Sequence, residues 1–273
     1  MKIAAKFRGD LTETGGTRGA LGPFSDRSVV FISPEGVTRQ NEAILAERSL
    51  QLILNGQSLV NLLCTPEHVE ELVYGFLFSA GVIESIGEVT DLFVDEDRVS
   101  VYLAREIKGG KWLTPSLTSG CGQGISFFQT RLLSEVNSSG VIPYQSILQL
   151  MLSLQKEATL YHRTRGAHGA ALASPEGITL FREDVGRHNA VDKLVGAALL
   201  QSLSLKDKLI LTTGRISSEI ITKTIRLQVP ILVSRSVPTD QAILLGERYK
   251  ITIVGYVRAN SLRIYTHPER ISY

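Results

Sequence analysis

Arg182-Glu183-Asp184-Val185-Gly186-Arg187-His188-Asn189-Ala190-Val191-Asp192-Lys193 joins two segments of different period. Upstream, Gly177 to Phe181 alternates as a strand does. Downstream, Ala190, Val191, Leu194, Val195, Ala198 and Leu199 recur at helical spacing. α/β proteins place ligand chemistry at such junctions, because the strand end fixes the backbone and the helix N-terminus offers free N–H groups. The block is mostly charged, polar or Gly, beyond what packing requires. The same residues would also make a salt-bridged turn capping the helix, so the block alone leaves both readings open.

Around it, strands and helices alternate. Strands are expected at 169–173, 178–181, 209–212, 231–233 and 251–254, and helices at about 188–201, 216–228 and 239–247. This alternation predicts an α/β core with a mostly parallel sheet and helices on both faces. Polar groups recur at successive strand ends. Arg163-Thr164-Arg165-Gly166-Ala167-His168-Gly169 precedes the first strand; Arg163 would equally serve as a helix C-terminal cation. Gly214-Arg215-Ile216-Ser217-Ser218-Glu219 follows the 209–212 strand and opens a helix with Ser217 as N-cap. Ser234 to Thr239 and Gly255-Tyr256-Val257-Arg258-Ala259-Asn260-Ser261 follow the next two strands. In an open parallel sheet these ends share one rim, where Arg would grip phosphate and Asp or Asn would meet sugar or base edges. A metal site is not expected: His168 and His188 lie apart, and no paired His spacing occurs.

Toward the N-terminus, residues 1–27 are rich in Gly, Thr and charge without a period and predict a flexible arm. Residues 28–104 predict an α+β lobe. There Leu50 to Leu54 runs into Asn55-Gly56, a strong hairpin signal, and Ser58 to Leu63 is the return strand. Thr65-Pro66 predicts a helix start, with Thr65 as N-cap, and further strands are expected at 89–94 and 99–103. From 105 to 125 apolar periodicity fails, which predicts a mobile loop carrying Cys121 between Gly120 and Gly122. Residues 126–273 form the core, beginning with helices at 126–136 and 143–161. Glycines uncover the Cys121 sulfur, and helix N–H groups near Ser126 would favour its thiolate; the alternative is an inert loop thiol. Cys64, at an apolar strand end, is expected in the core.

The bulk numbers exclude much. A net charge of +2 over 273 residues argues against bulk nucleic-acid or membrane binding. No apolar run approaches the roughly 18 residues needed to span a bilayer, and no signal-peptide core is evident. Two cysteines make no disulfide framework, so a cytoplasmic setting with reduced thiols is expected.

With Asn55-Gly56, Cys64-Thr65-Pro66, Gly75-Phe76, Gly120-Cys121-Gly122, Arg165-Gly166-Ala167-His168, the 183–193 block, Gly214-Arg215 with Ser217 and Glu219, Pro238-Thr239 and Gly255-Tyr256-Val257-Arg258 in order, the chain resembles the formate dehydrogenase accessory proteins, sulfurtransferases acting on molybdenum cofactor. The resemblance runs from about residue 28 to the C-terminus. It implies a cytidine-deaminase-like three-layer core. It implies a carrier that takes persulfide sulfur from a cysteine desulfurase and passes it to bis-molybdopterin guanine dinucleotide, bound as substrate, for the formate dehydrogenase catalytic subunit. Cys121 matches the persulfide cysteine, and Tyr256, Val257, Arg258, Ala259, Asn260 and Ser261 match the cofactor-binding stretch. Gly214, Arg215, Ser217, His168, Asp184 and His188 complete the expected site, the last three orienting the pterin or carrying protons. Deamination is excluded, since the Pro-Cys-x-x-Cys zinc ligands are missing. Many relatives carry Cys-x-x-Cys in the loop, whereas Gly124 stands here at the second position, leaving one thiol to carry the sulfur.

Two other readings stay open. The chain could be a non-catalytic chaperone that binds and delivers the guanine-nucleotide cofactor, or a hydrolase or nucleotide-modifying enzyme using Asp184 and His188. A homodimer would suit a two-armed cofactor.

Overall fold

The computed structural model describes residues 22–105, 115–117, 125–127, 133–205 and 207–273. The N-terminal part opens with a ribbon, β1 (Phe24–Ser33) and β2 (Gly36–Leu45). A four-stranded sheet follows from β3 (Arg48–Leu54), β4 (Gln57–Cys64), β5 (Val89–Asp95) and β6 (Arg98–Leu103), with helix α1 (Val69–Ser79) between β4 and β5. Its order is β4-β3-β6-β5. Asn55 and Gly56 turn β3 into β4 with φ of 47° and 79°, the left-handed pair that such a two-residue hairpin requires.

Short strands β7 (Pro115–Leu117), β8 (Ile125–Phe127) and β9 (Ile142–Pro143) lead to helices α2 (Tyr144–Glu157) and α3 (Thr159–Thr164). The core then runs β10 (His168–Ser174), β11 (Gly177–Asp184), α4 (Arg187–Leu200), β12 (Leu209–Thr212), α5 (Ser218–Arg226), β13 (Ile231–Ser234), α6 (Asp240–Tyr249), β14 (Thr252–Gly255), β15 (Arg263–Thr266) and β16 (Ile271–Ser272).

Six of these strands form one sheet in the order β11-β10-β12-β13-β14-β15. Successive residues face opposite ways. Ala170, Leu172, Ile210, Leu232 and Ile253 pack with α4, α5 and α6. Ala171, Leu209, Leu211, Val233 and Val254 pack with Ile147, Met151 and Leu154 of α2. Three layers result. The mostly parallel sheet expected from the alternation is corrected: only β12, β13 and β14 run parallel, while β10, β11 and β15 are antiparallel neighbours. The turn from Ser174 to Gly177 is too short for a parallel crossover, whereas α5 and α6 provide the longer connections that parallel strands need.

α4 has no solvent face to speak of, because the sheet covers one side and α1 the other. A Cβ added at Gly75 would lie 1.8 Å from the Asp192 carbonyl oxygen, and one at Gly196 would lie 1.8 Å from that of Glu71. The two helix backbones therefore touch through reciprocal glycines, and one hydrophobic core runs unbroken from β3 to β14.

Other local expectations are revised. α1 starts at Val69 rather than at Thr65-Pro66; its N-cap, His68, sits in the left-handed region without a capping side chain. Thr65 is instead drawn into bonds with β11 and α4, and this tertiary demand overrides its local capping preference. Ser126 and Phe127 belong to β8, and residues 133–136 lie outside any helix, so the helix expected over 126–136 is not found there. The 143–161 helix breaks at Ala158. Glu183 supplies the cap that Ala158 cannot, accepting from the Leu160 and Tyr161 N–H groups at 2.8 and 2.9 Å. β1 begins at Phe24, inside the span expected as an arm, and residues 1–21 lie outside the described residues.

Candidate functional site

β10 runs opposite to β12, so its first residue lies beside the last residues of β11 and β12. His168 pairs with Asp184, Ala170 with Thr212, and the Thr213 N–H donates to the Gly169 carbonyl. The C-terminal ends of β12, β13 and β14 complete the same edge. The mixed sheet thus still brings His168, Asp184 and the 213–217 and 256–258 turns to one edge, because β10 contributes its N-terminal end beside the C-terminal ends of β11, β12, β13 and β14.

Asp184 is the anchor. Oδ2 accepts from the Thr65 N–H at 3.1 Å and pairs with Lys193 Nζ at 2.6 Å. Oδ1 accepts from the Gly186 N–H at 2.8 Å and from Asn189 Nδ2 at 3.0 Å. These four donors use the carboxylate's acceptor capacity, and the side chain is fully buried. Asp184 therefore acts on a ligand only through its neighbours, which corrects the expectation that it could carry protons or serve a nucleotide-modifying enzyme. Lys193 also donates to the Thr65 and Glu183 carbonyls, Asn189 to that of Leu63, and the Thr65 hydroxyl accepts from the Val185 N–H. The salt-bridged reading of the 182–193 block holds for its buried acids, and the junction itself lies at this sheet edge.

His188, in the first turn of α4, is largely enclosed. Nε2 lies 3.0 Å from Glu219 Oε2 and 3.2 Å from Ser217 Oγ. Burial, then the cations Lys223, Arg187 and Arg215 and the nearby His168 ring, lower its pKa to about 3. The ring is neutral at physiological pH despite the Glu219 carboxylate, and Nε2–H donates to that carboxylate. Ser217 Oγ also caps α5, accepting from the Ile220 N–H, as expected. His168 is likewise held below its usual pKa, by burial and then by Arg187, and its Nδ1 lies 3.2 Å from Thr213 Oγ1. Gly214 is buried against Arg187, whose Cβ and Cδ would each lie 2.8 Å from an added Cβ; Arg215 beside it is exposed.

The 256–261 stretch fills the turn between β14 and β15. Tyr256 takes a left-handed φ of 53° and donates its N–H to the Ser236 carbonyl. Its ring contacts two guanidiniums, that of Arg258 at 3.8 Å from the centroid and that of Arg263 at 4.3 Å. Arg258 Nη1 donates to the Arg235 carbonyl at 2.7 Å, and the Arg235 N–H reaches the Thr212 carbonyl, which links this turn to β12. Val257 is buried, so its side chain is a core group and not a ligand contact. Ala259, Asn260 and Ser261 are exposed. Beside Ser261 a cleft of about 350 Å³ is lined by Tyr144, Leu262, Ile264, Ile271 and Tyr273.

Glu219 and Arg235 lie within the strand-end stretches already read as rim, whereas Thr213 and Lys223 join the site without having been singled out for it. Thr213 follows the end of β12, a placement that could have marked it. Lys223 was hidden, since its role is to pair with buried Asp192 and to donate to the His188 carbonyl. Cys121 and its flanking glycines lie outside the described residues. Cys64 is buried, and burial together with Asp184 pushes its thiol up to about 12, which makes it inert. No group of three or more His, Cys, Asp or Glu is placed to hold a metal among the described residues, and none of their helices is long and apolar enough to cross a membrane. The arrangement is suited to binding an anion: cations and neutral imidazoles line the edge, and its carboxylates are taken up.

The model of the FdhD/NarQ family matches residues 45–272. Sulfur carrier protein FdhD of Bacillus subtilis (strain 168) is 39% identical over 242 residues, covering 86% of this chain and 92% of that protein. The protein of that name in Listeria innocua serovar 6a is 36% identical over 239 residues, covering 84% and 92%. A crystal structure from Desulfotalea psychrophila, described as a formate dehydrogenase accessory protein, superposes with a TM-score of 0.76 at 27% identity, covering 91% of this chain and 99% of that one.

Proposed function

The chain belongs to the FdhD/NarQ family, and from that membership we propose that it is a sulfur carrier working through a persulfide on Cys121. A cysteine desulfurase supplies the sulfur in the cytoplasm. The recipient is the molybdenum of bis-molybdopterin guanine dinucleotide, taken as substrate before it enters the formate dehydrogenase catalytic subunit. The carrier role is supported by the names of the relatives. The cofactor half rests on one observation: Arg215 and Arg258, with His168 and His188, stand on the same sheet edge, where neighbouring carboxylates are already engaged.

The chemistry asks little of the fold. The Cys121 thiolate attacks the outer sulfur of the desulfurase persulfide; a new S–S bond forms as the old one breaks, and the desulfurase cysteine leaves as a thiolate. One thiol suffices, so Gly124 in place of a second cysteine does not prevent it. Release of the outer sulfur as sulfide returns Cys121 to the thiol and consumes two electrons, which a small thiol reductant supplies. On the rim, Arg215 and Arg258 grip the phosphates of the dinucleotide arms, since guanidinium forks match phosphate geometry. Asn260 and Ser261 lie within the same turn to meet sugar or base edges. His188, neutral and fixed by Glu219, orients the ligand by hydrogen bonding.

Cys121→Ala in cells lacking their own copy tests the reading against delivery by a passive chaperone. Loss of formate dehydrogenase activity, with the variant still binding guanine nucleotide, is expected. Undiminished activity would favour the chaperone.

A further inference from the structure

From Glu84 to Asp97 the chain carries six carboxylates, Glu84, Glu88, Asp91, Asp95, Glu96 and Asp97, and no Lys or Arg, although its net charge is +2. Glu88 is engaged by Arg105 and by the N–H groups of Glu84 and Ser85. Asp91, Asp95, Glu96 and Asp97 enter no ion pair among the described residues. These four sit on β5 and its turn into β6. β5 is the last strand of its sheet, so its outer edge has no strand partner among the described residues. Between Asp91 and Asp95 it exposes Phe93 and Val94, at 61% and 53%, and the Phe93 ring meets Tyr102 of β6 edge to face, with 6.2 Å between centroids.

The register shows what this edge offers. Asp95 pairs with Arg98 across a two-residue turn, so these two exchange both ladder bonds, and alternation makes Phe93–Ser100 the next bonded pair. The N–H and C=O groups of Leu92 and Val94 therefore point away from β6. Val101, opposite Leu92, agrees: its carbonyl accepts from the Asn55 N–H on the β3 side. Asp91, Phe93 and Asp95 share one face, so a strand added here meets acid, aromatic and acid in turn. Carboxylates on an edge strand also serve to prevent pairing with other chains. That purpose does not call for Phe93 and Val94 exposed between them, and apolar side chains rimmed by charge mark a contact surface. A second copy of β5 would set acid against acid. The complement of this edge is a basic strand.

We propose that β5 is a docking edge for an extended segment of a partner protein, one in which Lys or Arg stands two positions to either side of an apolar residue. The segment adds a fifth strand to the sheet: the free groups of Leu92 and Val94 bond its backbone, and Asp91 and Asp95 meet its cations. β4, at the opposite edge, runs into Thr65 at the β11–α4 junction, so the partner docks three strands away from that junction. In an anisotropy titration the full chain should bind a labelled Gly-Lys-Val-Tyr-Val-Lys-Gly peptide saturably, less tightly as salt is raised, and should not bind the Gly-Glu-Val-Tyr-Val-Glu-Gly counterpart. Val94→Pro should weaken binding about tenfold or more while keeping the thermal midpoint, since proline is tolerated where an edge N–H faces solvent. Asp91→Lys with Asp95→Lys should exchange the preference between the two peptides. A wild type that binds neither peptide, or both alike, overturns the proposal. So does binding untouched by Val94→Pro, or a preference unchanged by the two lysines. Binding seen only when the chain is diluted would give this edge to a second copy and overturn it as well.

Discussion

Lys193 Nζ lies 2.6 Å from Asp184 Oδ2, and both side chains are completely closed off from solvent. Each end of this pair also holds Thr65, through its N–H and its carbonyl, so one ion pair ties the end of β4 to the β11–α4 junction. Lys193→Met leaves a carboxylate buried with its counter-charge gone, and should cost about 3–5 kcal/mol of unfolding free energy. Urea unfolding followed by far-UV dichroism measures it. Adding Asp184→Asn should recover part of the loss, since the remaining N–H donors then face a neutral group.

The pair also shows what sequence could and could not convey. Strand and helix patterns located most core elements to within a residue or two: β12 and β13 are short, fully buried apolar runs bounded by turn residues, and the fourteen-residue α4 is long enough to show helical spacing. Strand direction was not legible: β10 and β11 read like their neighbours, and only the shortness of the Ser174–Gly177 turn betrays their sense. Thr65 shows why a helix start was misplaced, as its capping groups are consumed by residues about 120 positions away. Among the expected site residues, the exposed Arg215 and Arg258 were readable from their strand-end positions. The burial of Asp184 and Val257 was not, since enclosure depends on what the rest of the chain lays over them.

Where α1 crosses α4, no room exists for a methyl group. Gly75→Ala or Gly196→Ala should each destabilise the protein by about 3 kcal/mol or more, at the upper end of overpacking costs, because backbone rather than a flexible side chain must move. Thermal melts should show both variants well below the wild type, and Gly87→Ala, whose added Cβ meets nothing closer than 3.8 Å, close to it.

His188 links stability to pH. Its pKa falls from 6.5 in the unfolded chain to about 3 in the fold, so between these values the unfolded state binds the extra proton. Its contribution is fully present above pH 6.5 and is lost as the pH falls toward 3. His188→Gln should flatten that part of the stability curve. An NMR titration of the imidazole should show it uncharged at pH 5.

On the rim, Arg215→Ala and Arg258→Ala should each weaken binding of guanosine diphosphate about tenfold, as expected for the loss of one charge-assisted contact of about 1.5 kcal/mol. Calorimetry reads it directly. Arg258→Lys should rescue only in part, because an ammonium lacks the planar fork that lies over Tyr256.

Intact-mass spectrometry after incubation with a cysteine desulfurase and cysteine tests the sulfur-carrier account most directly. The account predicts one added sulfur atom on the wild type, mapped to Cys121, removed by a thiol reductant and missing from Cys121→Ser. No added sulfur, or sulfur mapped to the buried Cys64, would contradict it.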